Sequence, residues 1–155
     1  MERKVKSDPA AAPLPDGRIA VTEGKPEIFS PVVKVWLVDD NEELRTLIGD
    51  LLGRQSGIDC ARYFSSPDAL LSELASKPGP DVILLDVQMG ERNGLDAVRP
   101  IKSLTRPTRV LMYTTHYDPG WRERALNDGA SDYLLKSYSM ERVADRIRCP
   151  AEDPV

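Results

Sequence analysis

Two hydrophobic rhythms alternate along most of the chain. From Val32 to Val38 a continuous apolar run is broken only by Lys34 and reads as a first strand. Leu44, Leu47, Ile48, Leu51 and Leu52 then recur at spacings of three and four, one face of a helix that should stop near Gly53. Cys60 to Phe64 reads as a second strand. Ser66 follows as a helix cap with Pro67 in the first helical position, and Leu70, Leu71 and Leu74 form that helix's apolar face. Val82 to Leu85 is apolar at every position, as a strand covered on both faces would be. A third helix is expected from Leu95 to Leu104, kinked or shortened by Pro100, which lacks a backbone N–H. "RVLMYTT" gives a fourth strand, Asp118 and Pro119 open a fourth helix that Gly129 ends, and "SDYLLK" gives a fifth strand. Ser139 caps a fifth helix, which Pro150 terminates.

Strands alternating with helices in this way imply an α/β, doubly wound parallel sheet, because parallel neighbours require crossover connections and these are right-handed. No fixed-period repeat or heptad array competes with that reading. The patterned region, residues 32–149, is expected to be one domain, with residues 150–155 as a C-terminal tail. Residues 1–31 carry Pro9, Pro13, Pro15, Pro26 and Pro31 with little apolar periodicity, the composition of a flexible or irregular extension. Within it "GRIAVTEGKPEIF" is the one stretch able to form a short docking strand.

Composition narrows the function classes. The 155 residues are 41% hydrophobic and 30% charged, in the range of a soluble globular protein. No apolar run approaches the roughly 18 residues of a membrane span, and the charged, proline-rich start lacks a signal-peptide core, so no membrane association and a cytoplasmic location are expected. Cys60 and Cys149 match no metal spacing and read as reduced thiols. A net charge of −4 gives no reason to expect direct nucleic acid binding.

In an open α/β sheet, ligands sit beyond the carboxyl ends of the strands. Those ends carry Asp39 and Asp40, Asp86, Thr114 and Lys136. Each has an ordinary explanation when taken singly: a helix cap with a solvated acid, a strand threonine, a surface lysine. Together they describe a site. Three gathered carboxylates repel one another unless a cation offsets them, and hard oxygen donors suit Mg²⁺, or Mn²⁺ in its place. A threonine hydroxyl and a lysine ammonium beside them would suit a phosphoryl group, with Asp86 as the nucleophile that takes it.

The motifs "VWLVDD", "VILLDVQMGERNGLDAV", "RVLMYTT" and "GASDYLLKS" resemble, in order and spacing, the receiver domain of two-component response regulators, over about residues 33 to 148. That resemblance implies a flavodoxin-like five-stranded fold with strand order 2-1-3-4-5. It implies that Asp86 accepts a phosphoryl group from a sensor histidine kinase or a phosphotransfer protein. It implies that Asp39 and Asp40 hold the metal, Asp40 and Asp86 directly, with the backbone carbonyl of Gln88 as a further ligand. Thr114 and Lys136 would stabilise the phosphate and Tyr133 would be the switch aromatic, biasing the face of helix four, strand five and helix five. The implied activity is self-catalysed phosphotransfer with slow autodephosphorylation, in a switch rather than a metabolic enzyme. The implied partners are the kinase, an output domain or partner protein, and a second copy on phosphorylation. "DYLLKS" is similar to regulators with a helix-turn-helix output.

Four positions depart from the family pattern. Gly90 stands where a proline is usual and should loosen the loop after Asp86. Ser137 replaces a second proline, Thr115 is bulkier than the usual residue and should narrow access to Asp86, and Pro100 is uncommon in the third helix. These departures motivate an alternative, a phosphorylation-independent interaction module with the receiver fold. A phosphohydrolase is a weaker alternative, because Gln88 rather than an acid lies two residues after Asp86. His116, Trp121 and the cluster Arg122, Arg124, Arg142, Arg146 and Arg148 read as loop, packing and surface residues.

Overall fold

A computed structural model describes residues 31–149. The expected N-terminal extension up to residue 30, with its docking strand, and the tail from Pro150 lie outside the described residues. The strands are Val33–Val38 (β1), Ile58–Phe64 (β2), Val82–Leu85 (β3), Gln88–Met89 (β4), Arg92–Asn93 (β5), Arg109–Thr114 (β6) and Asp132–Leu135 (β7). The helices are Glu42–Gly53 (α1), Pro67–Ser76 (α2), Val98–Leu104 (α3), Pro119–Asp128 (α4) and Met140–Arg148 (α5).

Five strands form a parallel sheet in the order β2-β1-β3-β6-β7. With the two-residue strands β4 and β5 set aside, this is the expected order 2-1-3-4-5. Alternation along each strand sends side chains to two cores. Trp36, Val38, Ile83, Leu85, Val110, Met112 and Tyr133 pack with α2, α3 and α4 on one face. Val35, Leu37, Val82, Leu84, Leu111, Tyr113 and Leu134 pack with α1 and α5 on the other. β3 is buried along its whole length, which is why its sequence shows no alternation.

The caps at Ser66, Asp118 and Ser139 form as expected: each side-chain oxygen accepts a backbone N–H of the first helical turn. Three details differ from the sequence reading. β2 begins at Ile58 rather than Cys60, because its first residues pair with Val33 and Lys34 of β1. Leu47 is 53% exposed, lying off the stripe of Ile48, Gly49 and Leu52 that α1 buries. The third helix is preceded by a 3₁₀ turn, Gly94–Ala97, and α3 proper starts at Val98. Pro100 thus falls in the first turn of α3, where its missing N–H breaks no hydrogen-bond ladder.

The loop after Asp86 is not loosened. Gln88 pairs with Asn93 and Met89 with Arg92 in a small antiparallel hairpin. Gly90 takes φ of 61° in its two-residue turn, the left-handed conformation that such a tight connection demands. Gly94 then passes so close to the Asp86 backbone that an added Cβ would overlap the Asp86 carbonyl oxygen. Its N–H donates to the Val87 carbonyl at 2.7 Å. The segment carrying Asp86 is therefore braced by a residue that must lack a side chain.

Candidate functional site

Register gathers the strand ends. Val38 pairs with Leu85, so Asp39 and Asp86 lie side by side one residue beyond the ladder. Thr114 pairs with Leu135, and the Lys136 N–H donates to the Thr114 carbonyl at 2.7 Å, which brings Lys136 to the same rim. There the Lys136 Nζ donates to Asp86 Oδ2 at 2.8 Å and also to Asp39 Oδ2. These groups are withdrawn from water: the side chains of Lys136, Asp39 and Asp86 are 9%, 2% and 10% exposed.

Each carboxylate has a second donor. Asp39 Oδ1 accepts the Asn41 N–H at 2.9 Å, and Asp86 Oδ1 accepts the Val87 N–H at 2.7 Å. The α1 cap is Asn41, whose Oδ1 accepts the Leu44 N–H at 2.9 Å, so neither aspartate is used for capping. Burial pushes the Asp86 carboxyl above its usual range; the Lys136 ammonium opposes this, and the Asp39 charge adds to it. Burial alone would lower Lys136, but its hydrogen bonds to Asp39 and Asp86 outweigh that and raise it.

Asp39, Asp86 and Lys136 are thus brought together, while Asp40 stands exposed at the rim facing Gly90. Among the described residues, no three acidic, imidazole or thiol side chains are gathered closely enough to hold a metal ion. Three carboxylates are predicted to converge from the sequence; Asp39 and Asp86 meet through Lys136, and Asp40 lies at the exposed edge of the rim. Gln88 is exposed in the hairpin. Thr114 is 1% exposed, and its hydroxyl makes no hydrogen bond among the described residues, which leaves a buried donor at the carboxyl end of β6.

Tyr133 is 6% exposed. Its hydroxyl donates to the His116 carbonyl at 2.8 Å, and its ring meets Tyr117 edge-on at 6.1 Å. It therefore ties β7 to the loop that follows Thr114. Thr115 and His116 are exposed, with Thr115 Oγ1 3.1 Å from His116 Nδ1. The basic cluster is pinned more than the sequence suggested: Arg124 pairs with Asp96 and Asp128, Arg146 with Asp132, and Arg148 with Asp145. Tyr113 was not singled out by the sequence, although it directly precedes Thr114. It is 2% exposed, and the Lys136 Nζ lies 6.0 Å from its ring centre. Burial, with the Asp39 charge adding to it, pushes its phenol up to about 12.

The pattern of the response regulator receiver domain matches residues 35–148. The chain belongs to this family. Among curated receiver proteins, the response regulator protein VraR of Staphylococcus saprophyticus is 35% identical over 117 residues, covering 75% of this chain and 55% of VraR. The chain spans about half the length of the curated relatives it matches. The signal receiver domain of NarL from Mycobacterium tuberculosis superposes with a TM-score of 0.66 at 26% identity, covering 76% of this chain and 94% of that one. A response regulator protein from Burkholderia pseudomallei, solved with a phosphorylated aspartic acid, calcium ion and citrate, shares the fold. Its TM-score is 0.66 at 23% identity, covering 74% of this receiver and 66% of that chain. Among the described residues, no helix of the receiver is long and apolar enough to cross a membrane.

Proposed function

We propose that this receiver is a phosphorylation-driven switch in which Asp86 takes a phosphoryl group from a phosphohistidine on a sensor histidine kinase or a phosphotransfer protein. The observation that carries this reading is the buried Lys136 ammonium, which spans Asp39 and Asp86 at the carboxyl rim of the sheet. An oxygen of Asp86 attacks phosphorus, the phosphorus–nitrogen bond breaks, and the departing imidazole nitrogen takes up a proton, leaving an aspartyl phosphate. Such a transfer needs positioning and charge neutralisation more than covalent help. Lys136 supplies a point charge for one phosphoryl oxygen, and the Thr114 hydroxyl, which has no hydrogen bond among the described residues, supplies one to another.

The donor set suits a hard divalent cation, because every candidate ligand is an oxygen. Asp40, Asp86 and the Gln88 backbone carbonyl would hold Mg²⁺ or Mn²⁺, with Asp39 beside them. When bound, the ion neutralises charge on the phosphoryl oxygens. Tyr133 is the switch aromatic in this reading: its bond to the His116 carbonyl couples β7 to the loop next to Thr114. The state of Asp86 would then bias the face of α4, β7 and α5 toward an output domain, a partner protein or a second copy. Slow loss of the phosphoryl group, rather than turnover of a substrate, resets the switch.

The test is incubation with a small phosphodonor, with and without Mg²⁺, followed by mass measurement of the intact chain and its peptides. One phosphoryl group should appear on Asp86, require the divalent ion and be lost in Asp86→Asn. Labelling that persists in that variant would sink the assignment.

A further inference from the structure

Lys136 reaches its carboxylates across another strand. It leaves the end of β7, whereas Asp86 and Asp39 follow β3 and β1, and β6 runs between. The register identifies what lies in the way. Val38, Leu85, Met112 and Tyr133 are level across the sheet; one residue further on Tyr113 pairs with Leu134, while Asp39 and Asp86 follow directly on the last paired residues of β1 and β3. Side chains in one row share a face. Tyr113 and Leu134 lie on the α1 and α5 side, and Lys136, two residues past Leu134, falls on that side too. The lysine therefore crosses over Tyr113, whose ring centre is 6.0 Å from its Nζ.

We propose that Tyr113 is a positioning residue for phosphoryl transfer, its ring forming the floor that holds the Lys136 ammonium between Asp39 and Asp86 while leaving one N–H free for a phosphoryl oxygen. This rests on the reading of Asp86 as the phosphoacceptor. An ammonium has three protons to donate. Two go to the carboxylates, and among the described residues the third meets no acceptor. A ring face attracts the cation without claiming a proton, as a hydroxyl or amide at that position would. The water-excluded setting strengthens the attraction, since Tyr113 is 2% exposed and the Lys136 side chain 9%. The Tyr113 hydroxyl makes no hydrogen bond among the described residues, so the ring is the working part and phenylalanine should replace it.

The test uses the full chain with Tyr113→Phe and Tyr113→Leu, each checked for folding by its urea midpoint. The first readout is the NMR shift of the Lys136 ε-methylene protons, which a ring beneath them moves upfield. The shift should be present in the wild type and Tyr113→Phe and absent in Tyr113→Leu. The second is the initial rate of labelling by a small phosphodonor with Mg²⁺. Tyr113→Leu should slow by about 3- to 10-fold and Tyr113→Phe should stay within about twofold of the wild type, as loss or retention of a partly desolvated cation–ring contact implies. An unshifted Lys136 in the wild type, or wild-type labelling in a folded Tyr113→Leu, would overturn the proposal. Because the first of these needs no substituted protein, the idea stands or falls even if Tyr113→Leu does not fold. Labelling away from Asp86 with a ring-shifted Lys136 would defeat the phosphoacceptor reading instead.

Discussion

Replacing Lys136 with methionine isolates the electrostatics of the rim. The aliphatic stem is largely kept, so the change removes a charge with little loss of packing. An exposed ion pair would contribute at most about 1 kcal/mol, but that figure does not apply to side chains of 9%, 2% and 10% exposure. Without the ammonium, Asp39 and Asp86 face one another with no offsetting charge, and breaking a buried pair in this way costs about 3 kcal/mol or more. For a domain of this size that is a fall in melting temperature of roughly 10 °C. The assay is urea unfolding followed by tryptophan fluorescence, with chelator present so that no divalent ion replaces the lost charge. The same substitution in an Asp86→Asn background should cost at least about 1 kcal/mol less, because one of the two stranded carboxylates is already neutral. Unfolding of Lys136→Met within about 0.5 kcal/mol of the wild type, or an equal cost in both backgrounds, would refute the argument that this cation offsets two buried charges.

Three further outcomes follow from particular contacts. Gly94→Ala should destabilise the domain by about 2 kcal/mol and slow Asp86 labelling, because the new Cβ overlaps the Asp86 backbone carbonyl; unchanged unfolding would show that the segment yields freely. Thr108→Val should cost about 1–3 kcal/mol in urea unfolding, since the Thr108 hydroxyl is buried and bonds the Pro80 carbonyl at 2.6 Å and Thr105 Oγ1 at 2.7 Å. Burial, with the Asp59 charge adding to it, pushes the Cys60 thiol up to about 12, while Cys149 is exposed. Iodoacetamide at pH 8 should therefore modify the native chain at Cys149 and reach Cys60 only after unfolding. Mass measurement of the peptides reads both.

The order of elements was written in the chain because its signals are local. Hydrophobic period, serine and aspartate caps and helix-ending glycine need only neighbouring residues, and the fully apolar β3 announces its own place at the centre of the sheet. That Asp39, Asp86 and Lys136 would meet was legible for the related reason that each closes a strand, and strand ends of a parallel sheet share one rim. What the sequence left open depends on contacts between distant segments. Gly94 passes close against the Asp86 backbone at the start of a 3₁₀ turn where a helix was expected to begin, and the hairpin turned Gly90 from a loosening residue into a tight connection. Local periodicity placed Leu47 on the buried face, but the fold gave that face to Ile48, Gly49 and Leu52. Only the register across β3, β6 and β7 put Tyr113 beneath Lys136, because side chains far apart in sequence become neighbours when strands align and no local rule carries that alignment.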